Sequence, residues 1–325
     1  MFSCPARCNI NIPFRGFFPG YDASISMEVA WVPGQLSVQG TDVYFIVDAM
    51  GDLGRPEPLL SGIRRVSAGG VPEPVVSSPL PVALALTSTL VVFTDDGPGT
   101  TPGVFTVPLD GGTASRIATT VPPTAPHIVT DGKEAFFSDV EGAKAVSLSG
   151  GTVRMLTGAG GDVGIAGANL VVTDYDGGTV VEVPLDGSGS AATVASGQAY
   201  PGSPISCGAG VCWVDNVSGT CDIPSAFNAQ VMRLGPDGGV PSIVASQCYT
   251  RNPVGSVVSD GTDVFLVASN MVLATPVAGG DTRMIASLPV YWAAVDSCCL
   301  YTSGVLGIQG VPKPDESATD AASGD

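Results

Sequence analysis

The sequence predicts an all-β chain built as a seven-bladed β-propeller with four antiparallel strands per blade. Three observations predict it. The first is composition: 325 residues carry 43 Gly and 27 Pro, only 13% are charged, and the acids divide into 23 Asp and 7 Glu. Asp, Gly and Pro favour turns and Glu favours helices, so a helical protein of this length is excluded. The second is a Gly turn that recurs at Ser67–Gly70, Leu109–Gly112, Leu148–Gly151, Leu185–Ser188, Pro236–Gly239 and Val277–Gly280. The first Gly of each falls at 69, 111, 150, 187, 238 and 279, a period of about 42 residues. The third is an apolar hairpin upstream of each turn, with seven copies at 36–48, 84–96, 128–140, 164–176, 205–217, 257–269 and 294–304.

Each unit then reads as four short strands. The apolar hairpin supplies the first two, alternating around β-branched and aromatic residues. A third strand such as VFTVP leads into the Gly turn, and a fourth such as SRIATT, VRMLTG or TRMIAS follows it. The Gly pairs are expected to be tight hairpin turns in which both central residues take positive φ. The seventh copy holds three strands at most. Residues 25–34 (ISMEVAWVPG) are therefore expected to supply its fourth and close the ring, removing the open sheet edges of a linear array. This divides the chain into an extension bearing cysteines (1–24), one propeller domain (25–313) and a disordered acidic tail (314–325). Six blades with one broken unit is the alternative.

Charge narrows the partners. Lys and Arg number 13 against 30 Asp and Glu, a formal net charge of −17. No basic patch is available to neutralise phosphates, so nucleic acid and anionic membranes are disfavoured. No stretch reaches the ~20 apolar residues needed to span a bilayer, so no transmembrane segment is expected. Residues 1–20 lack the apolar core of a signal peptide, yet eight cysteines fit an oxidising compartment. A secreted, periplasmic or cell-surface monomer with a trimmed or misassigned start follows, the competing expectation being Cys4 as the lipidated cysteine of a truncated lipoprotein.

The hairpin ending in an aromatic and Asp, followed by V-P-L-D-G-G, resembles secreted bacterial propeller repeats of the myxobacterial type, which are often lipoproteins. More distantly it is similar to the YWTD propellers of low-density lipoprotein receptors. Residues 104–112 (VFTVPLDGG) and 179–188 (TVVEVPLDGS) carry the resemblance best, and it extends over residues ~36 to ~310. It implies a blade rather than an activity.

Asp48, Asp95, Asp139, Asp174 and Asp215 recur at the end of the second strand, one per blade. Spread around a ring, they cannot converge on one ion, and are expected to cap turns or tie one blade to the next. The single His127 falls at the start of the first strand of blade three. Its equivalents in the other blades are Gln35, Ala83, Asp162, Ser203, Ser256 and Trp292, which would form a ring at one channel mouth. Gln35, His127, Asp162 and Trp292 are the candidates there for binding a small ligand or acting on one. Two long loops, Ala49–Gly62 and Asn216–Gln230, join second and third strands and so project on the same face. Arg55, Tyr249 and Arg251 are expected to be exposed contacts beside them.

No serine-hydrolase elbow, H-E-x-x-H or P-loop signature is present, and no zinc-type cysteine pairing. The cysteines read as disulfides: Cys221 with Cys248, Cys207 with Cys212 across a tight turn, and cross-pairs of undetermined connectivity between Cys4, Cys8 and Cys298, Cys299. No catalytic residue, metal site or cofactor is assigned. The leading expectation is a non-enzymatic propeller binding a protein, peptide or glycan through the His127 face. The alternatives are a lactonase- or lyase-type enzyme that depends on Ca²⁺, with its site at the channel mouth, and a structural surface repeat protein.

Overall fold

The computed structural model describes residues 8, 10–12, 30–50, 61–78, 80–97, 101–122, 127–218, 221, 226–249, 256–268, 271–287, 290–304 and 307–313. They form seven four-stranded antiparallel sheets, the seven blades. Each innermost strand packs against that of the next blade, and the last packs against the first, so the ring is closed. None of the described residues lies in a helix, and none therefore forms a helix long and apolar enough to cross a membrane.

The blades have no common core. Period-2 alternation sends one set of side chains to each face of a sheet, and both faces of a blade meet a neighbour. Each of the seven interfaces accordingly holds its own apolar cluster. The second strands are the most deeply covered, which is why the aromatics of the sequence repeat lie there: Phe45, Phe93, Phe137, Trp213, Phe265 and Tyr301 are all buried. In six blades the pairing of third and fourth strands slips at the same place, as between Ile63 and Arg64 or Ala143 and Lys144. A repeated bulge adds twist at the same point of each blade. At the centre the strands are crowded: a Cβ on Gly164 would stand 1.9 Å from the carbonyl oxygen of Pro204 in the next inner strand.

Three expectations are corrected. The strand that completes blade seven is Asn11–Ile12, paired with Gly307–Pro312, and not residues 25–34. Ala30–Gln39 is instead the inner strand of blade one. The registers explain the exchange: Gln39 pairs with Asp42 across a tight turn, so Ala30–Gln39 is claimed by its own hairpin. The propeller thus begins inside the expected extension. Second, the Gly turns are longer than two-residue hairpins, although both glycines of the pair take positive φ as expected at 111–112, 150–151, 238–239 and 279–280, and Gly69 and Gly187 do so alone. In five of the six, the amide of the first Gly bonds the carbonyl three residues back, as Gly111 to Pro108 at 2.9 Å. In blade one it is Gly70 that bonds Ser67. The connections span more than two residues, as between Gly103–Pro108 and Ser115–Thr119. Third, much of the expected blade-five loop is strand: Gly210–Ser218 and Phe227–Leu234 pair along their full length.

Disulfides secure the two irregular regions. Cys8–Cys299 joins residues 291 apart and clamps the N-terminus onto blade seven. Cys207–Cys212 closes a hairpin and Cys221–Cys248 ties the long end of blade five. Cys298 is disulfide-bonded too, while Cys4 lies outside the described residues. Lys313 reaches Asp260 of blade six at 2.6 Å, and that contact, against the opposing effect of burial, holds the Asp260 carboxyl below its ordinary pKa.

Removing the clamp with Cys8→Ser and Cys299→Ser together should lower the unfolding free energy by about 2–5 kcal/mol, read as a lower midpoint in non-reducing urea titrations. Gly164→Ala should cost more than Gly158→Ala, which is exposed, at ordinary φ and meets nothing within 4 Å, in the same titration, because backbone must move to admit the methyl group.

Candidate functional site

The linkers between blades and the turns between second and third strands share one face, which carries the mouth of the channel. Second-strand aspartates hold the linkers in place there. Asp95 takes the hydroxyl of Ser78 and the amide of Gly97, Asp139 the amide of Val121, and Asp215 the amides of Ala199 and Tyr200 at 2.9 and 2.8 Å. Asp174 instead closes its own turn on Gly177. For Asp48 the side chain lies outside the described residues. Lys144 is buried between Asp139 and Glu141; burial lowers its pKa, and the two carboxylates more than restore it.

Three residues of the expected ring converge. His127 Nδ1 lies 2.9 Å from Asp162 Oδ1, and both side chains are largely buried. The contact is an ion pair when the imidazole is protonated. Asp162 Oδ2 accepts the amide of Ser203 at 2.8 Å. Ser203 is the one non-glycine with positive φ (50°) among the described residues. The Trp292 ring meets His127 edge-on, centroids 5.5 Å apart and 62° between planes. Blades three and seven are not neighbours, so this contact crosses the channel and roofs its mouth. Burial raises the pKa of Asp162, but the His127 charge, the contact with its ring and the Ser203 amide outweigh it and leave the carboxyl below its ordinary range.

Other ring members are committed to structure. Gln35 Oε1 accepts the amide of Leu84 in blade two at 2.7 Å, and Ser256 Oγ that of Ala293 in blade seven at 3.3 Å. With Asp162 and Ser203 these are three clamps of one kind, each a side chain of one inner strand on the backbone of the next blade. Ala83 is fully buried. Tyr249, expected to be exposed, is buried with its hydroxyl donating to Asn216 Oδ1 at 2.8 Å. The lengthened strands of blade five, carrying Tyr249 at the end of Ser242–Tyr249, enclose it. Arg55 and Arg251 lie outside the described residues.

Sequence reasoning missed the exposed apolar groups of this face. Val121, Val140, Tyr175, Tyr200 and Tyr291 are all 37% exposed or more. They occupy linkers and turns around the mouth, where nothing in a single repeat separates an outward side chain from an inward one. Blades one and five rise beside them, with first and second strands of 10 and 9 residues in blade one and 7 and 9 in blade five, against 4 and 6 in blade four. Among the described residues no group of three or more His, Cys, Asp or Glu is placed to hold a metal ion.

No family model and no curated protein matches the chain. Solved structures of similar fold include the extracellular domain of BT4673, a one-component system of B. thetaiotaomicron (11% identity, TM-score 0.61, covering 93% of this chain and 39% of that one). Virginiamycin B lyase from Staphylococcus aureus is similar over 87% of this chain and 95% of its own, at 12% identity and TM-score 0.57. BamB from Moraxella catarrhalis is similar over 91% and 85%, at 14% identity and TM-score 0.54. At these identities the likeness is one of fold, the β-propeller.

Asp162→Asn should lower stability at pH 7 by about 1–3 kcal/mol, the scale of a partly buried, charge-assisted interaction. A carboxyl whose folded pKa is depressed stabilises above its unfolded pKa and ceases to as pH falls through the folded value. The gap between Asp162→Asn and the parent should therefore close as thermal melts are taken from pH 5 to pH 2.

Proposed function

We propose that this chain is a secreted or surface-anchored propeller that binds a protein, peptide or glycan through the face around the channel mouth. The observation that carries the reading is that the exposed aromatic side chains among the described residues, Tyr175, Tyr200 and Tyr291, all lie on that one face, together with Val121 and Val140. Exposed apolar patches rimmed by polar residues mark interaction sites. The disulfides support an oxidising location. The test is a peptide and glycan array probed with the parent protein, with Val140→Asp plus Tyr291→Asp, and with Val240→Asp in the turn between strands three and four of blade five, on the opposite face. Ligands whose binding falls tenfold or more in the first variant and is kept by the second support the reading. Equal retention by both variants counts against it.

One observation favours a second reading, an enzyme acting at the channel mouth: an imidazole, a carboxylate held by a backbone amide and an indole meet there. Imidazole paired with carboxylate is a proton-transfer arrangement, and lactone or related ester chemistry assisted by Ca²⁺ is the class in view. Ca²⁺ at 100 times its dissociation constant should then raise stability by about 2.7 kcal/mol, seen as a saturable rise in Tm over EDTA, and His127→Ala should abolish turnover in a lactone screen. A flat Tm and no His127-dependent turnover retire the enzyme reading.

A further inference from the structure

Two of the exposed aromatics form a pair. The rings of Tyr175 and Tyr200 lie 4.8 Å apart at 30°, and the residues are 51% and 38% exposed. Tyr175 sits in the turn between second and third strands of blade four, and Tyr200 in the linker to blade five. Both backbones are fixed without a ligand. Asp174 Oδ1 takes the amide of Gly177 at 2.9 Å, closing the Tyr175 turn. Asp215 Oδ1 takes the amide of Tyr200, and the Tyr200 carbonyl takes that of Asn216. The amide of Gln198 bonds the carbonyl of Gly178, tying the linker to the turn, and the Gln198 side chain accepts Trp213 Nε1 at 3.0 Å. Such a surface loses little conformational freedom when it is covered.

The described charged groups that flank the pair are acidic. Asp174, Asp176 and Asp215 flank it, and none of the three enters an ion pair among the described residues. Across residues 154–251 the sequence holds eight acids and three bases, Arg154, Arg233 and Arg251; Arg154 is paired with Glu134 and Arg251 lies outside the described residues. Arg233 pairs in register with Cys212 at the open end of that hairpin, opposite its turn, and so away from this face. An exposed π-surface flanked by the exposed Asp176 and the half-buried Asp174, with Asp215 buried beneath, is matched by a cation that can lie flat on it. Arg guanidinium meets that description best, being planar and weakly hydrated. A neutral sugar would also stack on tyrosine and donate hydroxyls to the carboxylates, but it brings no charge to offset theirs.

We infer that the Tyr175–Tyr200 pair is a docking platform for an arginine-bearing peptide segment of a basic protein partner. This rests on the binding-face reading and names the partner chemistry for one part of that face. Three residues beyond Tyr200, Ser203 bonds Asp162, so a segment seated on the platform continues towards the channel mouth.

The probe is an acetylated, amidated hexapeptide alternating Gly and Arg, titrated into the full chain by calorimetry at 50 mM NaCl. The controls are the same peptide with citrulline for Arg, and cellohexaose. Binding by the Arg peptide alone is expected. Tyr175→Ala and Tyr200→Ala should each weaken it about threefold to fivefold, Tyr175→Phe should hold it near the parent value, and 300 mM NaCl should weaken it further by screening. Both tyrosines are exposed, so unchanged melts of the Ala variants will show that the fold is intact. Equal binding of the citrulline peptide or of cellohexaose overturns the inference, as does an Arg peptide that fails to bind or is indifferent to both Ala variants. If Val140→Asp plus Tyr291→Asp abolishes Arg-peptide binding while the Tyr175 and Tyr200 variants do not, the platform fails and the binding face survives.

Discussion

The ring closes where blade seven packs on blade one, and that blade is completed by one short antiparallel contact, the two-residue strand Asn11–Ile12 against Gly307–Pro312. A propeller has no central core to hold it, only interfaces between neighbours, and the interface between blades seven and one is the one that chain connectivity does not guarantee. Two hydrogen-bonded residues are too few to hold a ring closed by themselves. Three things reinforce them: burial of Cys8, Ile10 and Ile12 in the cluster of that interface, the Cys8–Cys299 bond, and the Lys313–Asp260 ion pair on the next blade. With closure secured, the inner strands are held close enough that Gly164 has room for no side chain, and residues from non-adjacent blades can touch.

The channel mouth follows from the same constraint. His127 and Trp292 belong to blades that share no interface, and only a closed ring of this diameter brings their rings within contact. The positions around them divide labour. Gln35, Asp162 and Ser256 bind the backbone of the next blade, whereas His127 and Trp292 face one another across the opening. Asp162 does both, since its two oxygens serve Ser203 and His127 separately. The second-strand aspartates fix the linkers that carry Val121 and Tyr200, so the outward side chains of the face stand on backbone already tied down.

The repeat made most of the fold legible. Strand order, blade count and the seven equivalent inner positions all follow from a 42-residue period, because every blade solves the same packing problem. What the period could not settle was its own ends. The segment 25–34 has the alternation of a fourth strand and equally that of a first, and only pairing with Asp42–Met50 distinguishes them. The three-way meeting of His127, Asp162 and Trp292 was half legible: their shared register could be read, their contact across the ring could not. Tyr249 was misjudged because loop and extended strand look alike in a polar, Gly-poor insertion, and strand extension buries what a loop would expose. The Tyr175–Tyr200 pair joins a turn to a linker in the next repeat, and alignment of repeats cannot relate two different positions.

The first cysteine of the described ring and one of the last are partners, which sets an order of events in biosynthesis. At about 5–20 residues per second, some 15–60 seconds separate the emergence of Cys8 from that of Cys299. During that interval every other blade can assemble while the N-terminal strand has nowhere to dock and its thiol no correct partner. Cys207, Cys212, Cys221 and Cys248 all emerge within it. Production of the closed ring therefore depends on an environment that can undo a premature disulfide, and a host compartment with an oxidant but no isomerase should accumulate open, mispaired chains.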